Sequence, residues 1–155
     1  MRRGFTLIEL LVTLAIMSVL AAAVFPLAEM SVRRAKEKEL KQALWDIRAA
    51  IDAYKKAGDD GQLLRRAGES GYPPDLRTLV DGVPNAKSAD AGKIYFLRRI
   101  PRDPFHAAPQ DPPEKTWGLR SYESPPDSPR AGKDVFDVQS SAAGTGLNGV
   151  PYREW

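Results

Sequence analysis

A chain of 155 residues with 43% hydrophobic and 28% charged residues is one domain's worth of folded protein. It is too short for a large two-domain enzyme and too apolar to be disordered throughout. A net charge of +3 is not the concentrated basic surface of a nucleic-acid binder. No Cys and one His exclude disulfides, thiolate nucleophiles, Cys-ligated metal centres and His₂ or His₃ sites.

Met1-Arg2-Arg3-Gly4 is short and basic, and Phe5 to Ala28 follows with Glu9 as its one ionisable side chain. A helix of about 20 apolar residues crosses the roughly 30 Å hydrocarbon core, and the segment is long enough. The two arginines ahead of it predict a cytoplasmic N-terminus. Ala21-Ala22-Ala23 also fits the small-residue site of a secretory signal peptide, whose removal would release a soluble exported domain. Against that reading, the apolar run continues through Val24, Phe25 and Leu27, and Glu9 sits at its mouth.

A carboxylate within the bilayer costs about 2.5–3.5 kcal/mol on insertion scales, so Glu9 must snorkel, stay protonated or meet a cation. Were the chain cut after Gly4, the new amine of Phe5 would lie one helical turn from Glu9 on the same face. The same pair could form between staggered neighbouring molecules and set the register of an assembly. Pro26 lacks an amide hydrogen and crowds the carbonyl of Ala22, which predicts a kink or a locally melted turn over Ala22 to Pro26.

From Glu29 the composition turns charged, yet Leu40, Leu44, Ile47, Ile51 and Tyr54 keep a helical stripe that reads as core packing. Arg33-Arg34-Ala35-Lys36 reads as a solvated face, with lipid head groups as the other option. Gly58 and Asp59-Asp60-Gly61 stop the helix. As one helix, Phe5 to Ala57 would be about 80 Å long.

Beyond it, Asp75 is placed to cap a short helix over Leu76 to Val80. Lys93–Leu97, Trp117–Tyr122 and Val135–Val138 read as strands, giving a small antiparallel sheet of about three strands on the outer half of the helix. His106 to Lys115 and Ser124 to Lys133 are proline-rich loops, the first expected to be mobile. Asp103 and His106 look like an acid–base pair, but no nucleophile–base–orienter set, Walker loop or zinc motif accompanies them, and no enzyme is expected.

RRGFTLIELLVTLAI resembles the class III leader of type IV pilins and type II secretion pseudopilins. The resemblance implies cleavage between Gly4 and Phe5 by a prepilin peptidase, N-methylation of Phe5, and assembly roles for Glu9 and for Pro26, which falls where that family carries its helix-kinking proline. Tyr72-Pro73, Leu76, Leu79, Tyr95, Ile100-Pro101, Asp103-Pro104, Trp117-Gly118, Tyr122 and Asp137 extend the resemblance to the G-type, major pseudopilins. An α+β pilin-like fold is then expected: a leader at 1–4, a transmembrane half-helix at 5–28, an amphipathic half at 29–57 and a globular domain at 58–155.

The implied function is that of a structural subunit in the inner membrane, its C-terminal domain periplasmic. It would polymerise into a pseudopilus that drives protein export. Its implied partners are further copies of itself, the peptidase, other pseudopilins, the inner-membrane secretion platform and lipid. A minor pilin of a type IV pilus or DNA-uptake system is the neighbouring alternative, and an exported soluble domain the distant one.

Two departures stand out. The family's Pro-Trp-Gly is here Pro104-Phe105-His106. Major pseudopilins also hold calcium in the loop after the third strand through Asp side chains, whereas Gln139 to Gly149 contains no carboxylate. Calcium affinity falls with ligand charge, so no cofactor is expected. The loop should close on its own hydrogen bonds, with Trp155 packed back as an anchor.

Overall fold

A computed structural model of the chain describes residues 5–66, 68–89 and 92–155, apart from the side chains at 23, 25 and 26. Helix α1 runs over Leu7–Asp59, and a one-turn helix α2 over Arg77–Asp81. The strands are β1 (Val83–Pro84), β2 (Lys93–Ile94), β3 (Trp117–Arg120) and β4 (Asp137–Ser140). Two 3-10 turns, Pro113–Lys115 and Tyr152–Glu154, complete the regular structure. Packing divides the chain into a unit ending at Lys36 and a second unit, Glu37–Trp155.

In the first unit the described side chains are exposed: Leu10, Leu14, Met17, Leu20 and Leu27 face outward without cover. An 18-residue window of α1 has a mean hydropathy of 2.5 and none of it is buried. By length and composition this segment can cross a membrane. The backbone stays helical through Ala22 to Pro26, so the melted turn expected there is not present. One proline deletes one hydrogen bond, and the bonds on either side suffice to carry the helix past it.

The second unit is organised by the stripe. Leu40, Leu44, Ile47 and Ile51 are at most 2% exposed, and Ala43 and Ala50 flank them. Leu76, Leu79, Trp117, Val135, Val138 and Tyr152 pack with them in one core, with Tyr54 at its margin. Fully burying a side chain of this size contributes about 1.5–3 kcal/mol, so the stripe holds this layer together. Burial, then the charge of Glu69, pushes the Tyr54 phenol above its ordinary range. Tyr72, Tyr122 and Phe136 form a ring cluster with centroids 4.9–5.6 Å apart.

The expected single sheet is instead two antiparallel pairs, β1 with β2 and β3 with β4. The strand expected at Lys93–Leu97 ends at Ile94, because the amides of Phe96 and Leu97 both turn to the carbonyl of Leu79. Its mate Val83–Pro84 is two residues long and proline-ended, too short for any alternation to register. Gly82 precedes it at φ 76°, where the Tyr95 ring would lie 2.7 Å from any Cβ. The last strand is Asp137–Ser140, displaced from Val135–Val138, with Trp117 opposite Ser140 and Arg120 opposite Asp137.

α2 begins one residue later than expected, and Asp75 does cap it: its Oδ1 accepts from the amide (2.8 Å) and the hydroxyl (2.9 Å) of Thr78. The loop expected to be mobile is tied down. The Arg102 guanidinium donates to the carbonyls of Ala108 and Asp111, and the Trp117 indole to that of Pro101 at 2.9 Å. Arg77 pairs with Glu114 at 2.7 Å. The Glu114 carboxyl is held below its ordinary range, first by its own backbone amide and then by Arg77.

Candidate functional site

Two groups of residues carry the candidate functions: the head of α1 and the cluster that closes the C-terminal loop. Gly4, and with it the expected cleavage site and leader, lies outside the described residues, as does the side chain of Pro26.

At the head of α1, Thr6 is exposed and precedes the first helical residue, Leu7. Its amide donates to Glu9 Oε2 at 2.9 Å and its hydroxyl to the same oxygen at 2.8 Å. The Glu9 amide returns a bond to Thr6 Oγ1 at 3.3 Å. This is a capping box: two orphan amides at the helix start are satisfied reciprocally, and the carboxylate sits at the positive end of the helix dipole. The Thr-x-x-Glu spacing of Thr6 and Glu9 is the sequence signal for it. Both bonds go to Oε2; Oε1 takes part in neither. The carboxylate is thus held facing the N-terminal end, one turn from Phe5.

The second cluster begins at Glu37, the first residue of its unit and 8% exposed. Glu37 Oε1 accepts from the Leu147 amide and from the Tyr152 hydroxyl, both at 2.9 Å. A helix carboxylate therefore holds a loop more than a hundred residues away in the chain. Tyr152 stacks on Phe105 with centroids 4.3 Å apart. Trp155 closes edge-on to Tyr152, its indole donating to the Val150 carbonyl at 3.1 Å. Lys41 lies 4.5 Å over the Trp155 ring. Gly146 makes room: a Cβ there would sit 2.3 Å from that ring. The expected anchor is present.

Arg48 extends the lock. Its Nε donates to Asp137 Oδ1 at 2.8 Å, and its Nη2 to the carbonyls of Val138 (3.0 Å) and Trp155 (2.7 Å). Neither Glu37 nor Arg48 was singled out from the sequence, because their partners lie 89 to 115 residues away.

Asp103, 2% exposed, accepts from the Ser140 hydroxyl and, at 2.8 Å, from the Phe105 amide. Its own amide donates to Thr116 Oγ1 at 3.1 Å. The segment around Asp103-Pro104 and strand β4 thus meet through this pair. His106 bonds Asp111 at 2.9 Å and Ser141 at 3.3 Å. Asp103 and His106 therefore face different partners, and the acid–base pairing between them is not formed. Among the described residues, no group of three or more His, Asp or Glu could hold a metal ion, and no buried side-chain nitrogen or oxygen lacks a hydrogen bond.

The family model for the prokaryotic N-terminal methylation motif matches residues 1–25. Type II secretion system core protein G of Klebsiella pneumoniae is 30% identical over 110 residues, covering 67% of this chain and 69% of that protein. The chain belongs to the G-type pseudopilin family. The core protein G of Klebsiella michiganensis is 26% identical over 108 residues, covering 67% of this chain and 68% of its own length. No solved structure matches the chain. The pseudopilin residues quoted from the sequence take structural places here: Pro73, Leu76 and Leu79 are fully buried, and the Pro73 carbonyl receives the Val135 amide at 2.8 Å.

Proposed function

We propose that this pseudopilin is a structural, non-catalytic subunit. In this reading it is held in the inner membrane by its apolar half-helix, with its N-terminus cytoplasmic and its C-terminal domain periplasmic. A prepilin peptidase cuts between Gly4 and Phe5, Phe5 is methylated, and the subunits polymerise with one another and with other pseudopilins on the inner-membrane platform to drive protein export. What carries the reading is the exposed apolar segment of α1 that opens on the Thr6–Glu9 box, inside the segment matched by the methylation motif.

The chemistry follows from the box. A carboxylate fixed at a helix start is pre-oriented for an amine, and pre-orientation lowers the entropic cost of the pair. The chain's own amine at Phe5 would be within one turn, and in a staggered assembly a neighbour's amine could take its place. Pro26 relieves one backbone bond where packed helices could adjust to each other. The C-terminal loop needs no metal in this reading, because Glu37 supplies the carboxylate that the loop lacks. Chelation then leaves the unfolding midpoint unchanged, and added calcium does not raise it.

The deciding measurement is intact mass and N-terminal sequence of the protein from its native membrane. The expected chain starts at Phe5 and is one methyl group heavier than the unmodified chain. A chain starting at Val24 would be a released soluble domain, and the filament reading would be abandoned.

A further inference from the structure

The chain has two asparagines, Asn85 and Asn148, and both fold into the same local turn. The side-chain oxygen of Asn85 accepts from the Lys87 amide at 3.0 Å, and that of Asn148 from the Val150 amide at 3.1 Å. Each bond skips one residue, so the carboxamide lies back along the backbone of its own successor. The successors differ: Ala86 follows Asn85, whereas Gly149 follows Asn148. Asn148, Gly149 and Val150 are all exposed. Gly149 stands at φ 80°, and a Cβ built there would meet nothing within 4 Å. Its nitrogen is shielded by no side chain of its own.

A backbone nitrogen beside a carboxamide carbon is a nucleophile beside an electrophile. Attack by the Gly149 nitrogen on Asn148 Cγ forms the N–Cγ bond of a succinimide ring. The amide proton goes to water or hydroxide, the Cγ–Nδ2 bond breaks, and ammonia leaves. Water then opens the ring at either carbonyl to give an aspartyl or an isoaspartyl link; nothing is oxidised or reduced. The Val150 amide favours the attack, because it donates to the oxygen on which negative charge develops. The closed turn opposes it. The Gly149 amide is committed to the Gly146 carbonyl at 2.9 Å, and the Gly146 amide to the Val150 carbonyl at 2.8 Å. Between them the Leu147 amide is fastened to Glu37. The Gly149 nitrogen must leave the Gly146 carbonyl before it can turn on Cγ.

We propose that Asn148 is a site of spontaneous deamidation, gated by the clamp through which Glu37 keeps the turn at 146–149 closed. The product places a carboxylate in a loop that has none, at the rim of the cleft lined by Lys41 and Trp155. Its isoaspartyl form also adds a carbon to the backbone between the Leu147 and Tyr152 anchor points. Opening the turn costs what its bonds contribute, so the closed loop should react on the order of tenfold to a hundredfold more slowly than the open chain. The inference stands independently of the membrane reading.

The test incubates the full chain in detergent at mildly alkaline pH and body temperature. Aliquots are digested, and the mass gain from amide to acid is located by fragmentation. A synthetic peptide of residues 141–155 supplies the open-chain rate. Asn148 in the parent should convert more slowly than in the peptide by the factor above, and Asn85 should stay intact over the same period. Glu37→Ala should bring Asn148 within a few-fold of the peptide rate. Glu37→Gln, which keeps a weakened acceptor, should fall between it and the parent, with near-ultraviolet circular dichroism showing that it remains folded during the incubation. A peptide that does not convert, or Asn85 converting as fast as Asn148, overturns the site. A parent that converts at the peptide rate, or a folded Glu37→Gln no faster than the parent, overturns the gate.

Discussion

Replacing Glu37 with alanine removes the acceptor of two bonds, from the Leu147 amide and the Tyr152 hydroxyl. Bonds to a charged acceptor contribute about 1.5–3 kcal/mol each. Glu37→Ala should therefore destabilise the second unit by about 3–5 kcal/mol. Tyr152→Phe loses one bond and should cost about 1.5–2 kcal/mol. For a unit of this size that is a fall of about 10–15 °C for the first and about 5–8 °C for the second.

The assay is thermal unfolding of the full chain in detergent, followed by near-ultraviolet circular dichroism. Trp117 and Trp155 report there on the packing that the clamp holds. The double variant separates the clamp from general damage. The two substitutions share the Tyr152–Glu37 bond, so the double should lose about 1–2 kcal/mol less than the sum. Glu37→Gln, which keeps a neutral acceptor, should fall between. A midpoint for Glu37→Ala within 2 °C of the parent, on the order of 0.5 kcal/mol, would refute the reasoning. So would full additivity of the two substitutions.

Three further outcomes are expected. Glu9→Gln keeps an N3 side chain able to complete the capping box but removes the charge, whereas Thr6→Ala removes the cap at a cost of about 1 kcal/mol and keeps the charge. Filament formation, scored by electron microscopy after overexpression, should fail in the first and persist in the second; the reverse result would mean that Glu9 acts only as a cap. Arg102→Gln should free the loop from 106 to 116, with limited proteolysis cutting there first; a resistant variant would mean that the His106–Asp111 pair alone suffices. The hydrogen bond from Lys55, ahead of the charges of Lys55 and Arg65, holds Asp59 below its ordinary 3.8. Its folded value being the lower one, the contribution is present above about pH 4 and is lost as pH falls through the folded value. Carboxyl NMR should show the Asp59 midpoint below 3.8, and Lys55→Gln should move it upward; no movement would leave Lys55 without that role.

What the sequence made legible was local. Leu40, Leu44, Ile47 and Ile51 show their helical face through spacing alone, and the apolar run announces a membrane helix by length alone. Asp75 was readable as a cap because the amide it accepts from, that of Thr78, lies three residues on. The illegible parts depend on distance along the chain. Nothing in the neighbourhood of Glu37 or Arg48 distinguishes them from the other charges of α1, and only the folded loop shows that they point inward. The tie on the 106–116 loop was hidden for the same reason in miniature: proline-rich composition predicts mobility, and one guanidinium reaching two carbonyls overrules it. At Val83–Pro84 a pairing two residues long leaves no periodicity to read.

The bare apolar half of α1 also constrains how the subunit can travel. Covering the described large side chains from Leu7 to Leu27, which are exposed here, is favourable by on the order of 20–30 kcal/mol relative to water. No route that passes through a free aqueous subunit is passable against such a gradient. Lipid must therefore give the helix up side chain by side chain to whatever surface replaces it. In the assembly proposed above, subunits would therefore be recruited at the membrane, from copies still embedded there, rather than from a soluble pool.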